Sequence, residues 1–225
     1  MKYMMGSNRL SYWLCALAAN ALLAVAGVGS VAFAADANLA PDVLIKQVVS
    51  DVMTTIKSDS DIQAGNLSKI NALVETKILP YVDFKRMTAS AVGRNWASAN
   101  PQQQEAIIEQ FKKLLTYTYA GALSQVRDQT IQYKPFRADP GDTVVQVNTE
   151  VVNTRGGEPL QLNYKLQKET AGWKIIDVNV LGVWLVQNYR STFAQQVSAG
   201  GIDGLIKALT EKNKSLASGP TAPKG

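Results

Sequence analysis

The chain has 225 residues, a formal net charge of +5, one cysteine and no histidine. Without histidine there is no Ser-His-Asp or Cys-His constellation, and zinc sites built on nitrogen and sulfur are excluded. The positive balance is mild and no basic block stands out, so nucleic acid is not implied.

The first 34 residues read as an export signal. Lys2 and Arg9 precede an apolar run from about Leu10 to Val31, which closes on Ala32-Phe33-Ala34. A charged start, an apolar stretch and an A-x-A site form the three-part secretory pattern, with cleavage after Ala34. A membrane-spanning anchor is the alternative, since the run is long enough for one. Polar Asp36 and Asn38 directly after the A-x-A favour cleavage. Cys15 lies mid-run, which is the wrong place for a lipid-modified cysteine. Cleavage would remove the only cysteine, and an exported chain without disulfides must rely on a hydrophobic core. The expected organisation is a signal peptide at 1–34, one domain at 35–213, and a polar disordered tail at 214–225.

Pro41 to Lys57 has the period of a helix, with Leu44, Val48, Val52 and Ile56 every four residues. Asp59-Ser60-Asp61 breaks it. Asn66 is placed to cap a second helix carrying Leu67, Ile70, Leu73, Val74 and Ile78, which Pro80 ends. Phe84, Met87, Ala91, Val92 and Trp96 mark a third helical face. Asn100-Pro101 with Gln103 is a strong start signal for a fourth helix running to about Arg127.

The period then changes to two. Thr130 to Phe136 is a short strand, and Val145, Val147, Thr149 and Val151 alternate with polar residues. Leu160, Leu162, Tyr164 and Leu166 do the same, and Trp173–Val180 follows a turn at Gly172. Short connections predict a four-stranded antiparallel meander with one apolar face that must be covered. Helix returns at about Val183, stops at Gly200-Gly201, and resumes from Ile202 to Lys212. The expected class is α+β, with helices packed on one face of a curved sheet.

No P-loop and no dinucleotide fingerprint occurs. Asp177 and Asp83 are the carboxylates best placed for acid–base work, yet each reads more readily as a structural ion pair or a helix-start charge. No catalytic residue, metal or cofactor is therefore assigned. The apolar faces are broad, and composition alone does not separate a packed core from a lined cavity. A cavity for acyl chains would have to replace about 0.8 kcal/mol per methylene withdrawn from a membrane.

Three stretches carry a resemblance: LPYVDFKRMTASAVGRNW (79–96), NPQQQEAIIEQFKKLLTYTYAGAL (100–123), and WKIIDVNVLGVWLVQNYRSTF (173–193) with the following GGIDGLIKAL (200–209). They resemble the MlaC family of soluble periplasmic phospholipid-shuttle proteins of Gram-negative bacteria, associated with outer-membrane lipid asymmetry and toluene tolerance. The resemblance implies a cone-shaped fold related to nuclear transport factor, with acyl tails in an apolar pocket. It implies two partners besides the phospholipid: an inner-membrane ABC transporter complex with a lipid-binding ring, and an outer-membrane lipoprotein complex. It implies no chemistry.

After the last strand the family usually reads close to E-G-V-S, whereas this chain has Leu181-Gly182-Val183-Trp184. That departure keeps a polycyclic lipid such as a hopanoid open as the cargo. The residues nominated for the pocket follow from the apolar faces. The sheet supplies Val145, Val147, Leu162, Tyr164, Ile176, Val178 and Val180, and the join supplies Val183 and Trp184. The helices supply Val52, Met87, Val92, Phe111, Leu115, Tyr119 and Phe193. Tyr81 is placed near the mouth, and Lys85, Arg94 and Arg190 are the basic candidates for a phosphate headgroup. A small-molecule enzyme on the same fold and a non-lipid periplasmic adaptor are the competing readings.

Overall fold

The computed structural model describes residues 39–218. The expected export signal lies outside the described residues, as do residues 219–225 of the expected tail.

Helix α1 (Pro41–Ser58) starts on a proline, which presets the backbone and lacks a donor that would go unpaired there. Where a break was expected, Asp59 ends α1 and starts α2 (Ser60–Gln63). Its Oδ1 accepts from the N–H groups of Asp61 and Ile62 at 2.9 and 3.2 Å. Asn66 likewise caps α3 (Leu67–Leu73), which loosens into a π-helical turn (Val74–Ile78) and a 3-10 turn at Pro80. Asp83 caps α4 (Phe84–Val92), and Gly93 ends it with φ 67. Helix α5 (Pro101–Ser124) opens with a reciprocal box. The Asn100 side chain accepts from the Gln103 N–H at 2.9 Å, and Gln103 Oε1 accepts from the Asn100 N–H at 3.0 Å.

The sheet is an antiparallel meander in the order β1-β2-β3-β4-β5. Its strands are β1 (Thr130–Tyr133), β2 (Val144–Val152), β3 (Leu160–Glu169), β4 (Gly172–Val180) and β5 (Val183–Trp184). The α+β class holds, with five strands where the sequence suggested four. The fifth comes from residues expected to begin a helix. Leu181 and Gly182 turn the chain back with φ 55 and φ 85, and the Asn179 side chain accepts from the Gly182 N–H at 3.0 Å. Val183 and Trp184 therefore pair with β4 before helix begins.

Helix α6 (Leu185–Ala217) is broken at Gly200–Gly201, as the sequence indicated. Gly201 sits at φ 66, ψ −165, a conformation that is essentially glycine's alone. The helix runs past residue 213 because Leu216 packs on the helical core and Asn213 Nδ2 donates to the Gln110 carbonyl at 2.8 Å.

Register decides which side chains meet. Leu162, Tyr164 and Leu166 lie opposite Val180, Val178 and Ile175, giving one apolar face. A β-bulge between Lys165 and Leu166 leaves Ile176 as the extra residue on β4. Helix α1 covers part of that face: Leu44, Ile45, Val48 and Val49 pack with Val145, Val147, Tyr164, Leu166 and Ile175. A second core lies among α4, α5 and α6, around Phe111 and Phe193.

Candidate functional site

Two groups of side chains share the apolar face of the sheet. One is the α1 group, onto which Val52, Met53, Leu162 and Val178 pack while only partly buried. The other gathers Met87 of α4 with Leu185 and Val186 of α6, and takes in Leu115, Tyr119, Val178 and Val180. Val178 belongs to both, so the groups meet along β4 in a seam of half-buried apolar side chains. Burial pushes the Tyr119 hydroxyl above its ordinary titration range, with the neighbouring Tyr189 adding to the shift. The hydroxyl of Tyr164, deeper in the sheet, is raised by burial as well. Both hydroxyls therefore stay neutral under ordinary conditions.

The nominated residues separate into three sets. Val52, Met87, Leu115, Tyr119, Val145, Val147, Leu162, Tyr164, Val178 and Val180 lie on the sheet face or in the groups packed on it. Val92, Phe111 and Phe193 belong instead to the core between helices, away from the sheet. Ile176, Val183 and Trp184 belong to none of the cores. The bulge takes Ile176 out of the inward row and leaves Ile175 in it, 2% exposed. Val183 pairs with Val180 and so shares the apolar face, but at its rim, 48% exposed. Trp184 pairs with Asn179 on the opposite, polar face, where the Lys165 ammonium lies 4.7 Å from its ring centroid. Leu185, Val186, Val82 and Met53 were not nominated. For Leu185, Val186 and Val82 the signal was weak because a helix start and an irregular turn have no period to read, whereas Met53 lies within α1 but off the Leu44–Val48–Val52–Ile56 row.

Two clefts open at the surface, one beside the α1 group and one among the helices. One of about 290 Å³ runs between Asp42 and Lys46 of α1, residues Tyr133–Phe136, and Val147 on the sheet face. The other, of about 660 Å³, lies between the end of α4 and α6, with Arg94, Asn95 and Arg190 on its walls. Arg190 is held there by two bonds to the Ser90 carbonyl, from Nε at 3.2 Å and Nη2 at 2.9 Å. The structure thus brings Arg94 and Arg190 to one place, while Lys85 is not among that cleft's lining residues.

Asp177 has a structural role. It is 7% exposed, and its Oδ1 accepts from the N–H groups of Val178 at 2.9 Å and Val186 at 3.1 Å. Val186 is in the first turn of α6, whose own N-cap side chain makes no bond, so Asp177 caps that helix from the sheet. Burial nevertheless pushes its carboxyl above the ordinary carboxylate range, against the pull of these donors and of Lys165. The unfolded chain then releases the proton at lower pH than the folded one. This group's contribution to stability is therefore fullest in acid and falls as pH rises from the unfolded to the folded value. Asp177→Asn keeps an acceptor and sheds the buried charge, so at pH 7 it should unfold at equal or higher denaturant. That advantage should vanish below pH 4. Asp177→Ala leaves the Val186 donor unpaired and should lose about 1–3 kcal/mol. Denaturant titrations of both variants at the two pH values check this.

Among the described residues, no group of three or more His, Cys, Asp or Glu is placed to hold a metal ion. No described helix is long and apolar enough to cross a membrane.

The sequence model of the family described as MlaC protein matches residues 46–211. Among solved structures, a phospholipid-binding protein from Ralstonia solanacearum, in complex with a phospholipid, is 48% identical. It superposes with a TM-score of 0.76, covering 78% of this chain and 98% of that one. The intermembrane phospholipid transport system binding protein MlaC of Haemophilus influenzae is 22% identical over 177 residues, 78% of this chain and 83% of its own. The toluene tolerance protein ttg2D of Pseudomonas putida is 25% identical over 165 residues, 72% of this chain and 75% of its own.

Proposed function

We propose, because the chain belongs to the MlaC family, that it is a periplasmic phospholipid carrier and performs no chemistry. It takes up one lipid by its acyl tails and passes it between an inner-membrane ABC transporter complex and an outer-membrane lipoprotein complex. The observation that carries this reading is the seam, where half-buried apolar side chains on the sheet meet buried Met87, Leu185 and Val186 and half-buried Leu115 and Tyr119. Acyl chains gain free energy in proportion to the apolar area that contact removes from water, and half-buried apolar side chains offer such area. The similarity to a protein solved with a phospholipid supports the same reading.

The hopanoid alternative drew on Trp184 as a pocket residue. With Trp184 on the polar face of the sheet, that residue gives it no support. The enzyme reading fares no better, since Asp177 has its carboxylate oxygen engaged by two backbone donors.

Native mass spectrometry of the protein purified without detergent tests the proposal. A stoichiometric adduct that extracts as a phospholipid is the expected result. A clean protein mass, together with failure to take lipid from vesicles, would overturn it in favour of an adaptor.

A further inference from the structure

Among the described residues, four large apolar side chains are exposed: Val43, Val144, Leu181 and Val183. Two of them stand two positions apart on the β4–β5 turn, and Leu181, at 67% exposure, is the most open of the four. Leu181 is also the one non-glycine described residue at positive φ, with φ 55. A side chain with a Cβ is strained there, and the left-handed region favours glycine or asparagine. Nothing in the turn requires leucine. Its backbone N–H donates to the Gln161 carbonyl at 3.1 Å, which any residue but proline could do. Both the backbone and the side chain of this residue are thus unfavourable in water.

The surroundings indicate what would compensate. Val183 shares the apolar face with Val180 and is 48% exposed, so the turn stands at the rim of that face. Trp184 follows, with its indole beneath the Lys165 ammonium at 4.7 Å. An aromatic ring next to a cation, beside exposed aliphatic groups, is the combination that settles at a membrane interface. Two aliphatic side chains on a tight turn fall far short of the roughly 800 Å² per partner of a stable protein interface. They are also too few for lasting anchorage in a bilayer. They suit a brief contact in which Leu181 and Val183 enter the acyl boundary.

We infer that the β4–β5 turn is where this protein touches a lipid surface, at the mouth through which a lipid enters or leaves the seam. The inference rests on the phospholipid-carrier reading and adds a lipid-contacting surface to it.

Leu181→Gly removes the side chain and, at φ 55, the strain as well. The variant should melt no lower than the unaltered protein and should purify with the same amount of lipid. Its rate of lipid exchange with protein-free vesicles of phosphatidylethanolamine and phosphatidylglycerol should fall about fivefold or more. Leu181→Asn should behave alike. Unchanged exchange in both variants overturns the inference. So does a defect that appears only when the vesicles contain the transport complexes, which would make the turn a protein-docking site. Failure of the carrier reading shows separately, as an absence of lipid in the unaltered protein.

Discussion

Val180→Glu should purify with no more than about a tenth of the phospholipid that the unaltered protein carries. Val180 lies in the seam opposite Leu162, and packs with Met87, Leu185 and Val186. A carboxylate among acyl chains must either stay ionised without water or take up a proton, and each route costs several kcal/mol after relaxation. Tenfold in affinity is only about 1.4 kcal/mol, so the stated loss leaves a wide margin. The fold should survive the change. Val180 is half-buried and adjoins a turn whose Leu181 is 67% exposed, so a glutamate there can reach solvent when the seam is empty. A lipid-to-protein ratio from extracted samples, paired with a thermal melt, decides the matter. A variant that melts within a few degrees of the parent and still carries its lipid would remove the seam from the proposed function.

Phe111→Ala should have the opposite profile. Phe111 is fully buried, and its ring lies 5.0 Å from those of Tyr189 and Phe193 and 5.6 Å from that of Phe84, centroid to centroid. The two closer pairs are edge-to-face. Truncation removes the hub of that aromatic group and leaves a cavity between three helices, for a loss of about 3–5 kcal/mol. In a domain of this size that lowers Tm on the order of 10 °C. The protein that remains folded should carry lipid normally, because Phe111 belongs to the core between helices and reaches the Met87–Leu185–Val186 group only through Phe84 and Leu115. Calorimetry gives the first number, and lipid content per folded molecule gives the second. Lost lipid with an unchanged Tm would return Phe111 to the cargo site.

These two residues mark what the sequence could and could not disclose. Both were nominated for the same pocket from the same kind of evidence, an apolar position in an amphipathic segment. Periodicity tells which face of a helix turns inward, but not whether it meets a sheet or two other helices. Phe111, Phe193 and Val92 meet helices, and Leu115 reaches both neighbourhoods. Local chemistry was more legible. The Asn100–Gln103 box, the Asn66 cap and the Gly200–Gly201 break are each decided by a few adjacent residues, and each stands where the sequence placed it.

Alternation along β2 and β3 was equally readable. On β4 it failed at one point. A bulge is a property of two strands in register, and Ile175-Ile176 offers two equal candidates for the inward place. Trp184 was misplaced for a related reason. The turn before it needs positive φ at a leucine, which the residue type argues against, so the short fifth strand had no local signal.

The unbroken β1-to-β5 order has a consequence for how the molecule assembles. Each strand pairs only with its neighbours in sequence, so every closure in the sheet is local, the longest spanning residues 134–143, and costs little chain entropy. Helix α1 is different: Leu44 and Val48 must find Val145 and Tyr164 across roughly a hundred residues. The sheet can therefore form early and α1 dock late, and by the same energetics α1 would be among the first elements to lift away. Slow opening of one cooperative unit, while the meander beneath it stays intact, would uncover the apolar face without unfolding the protein.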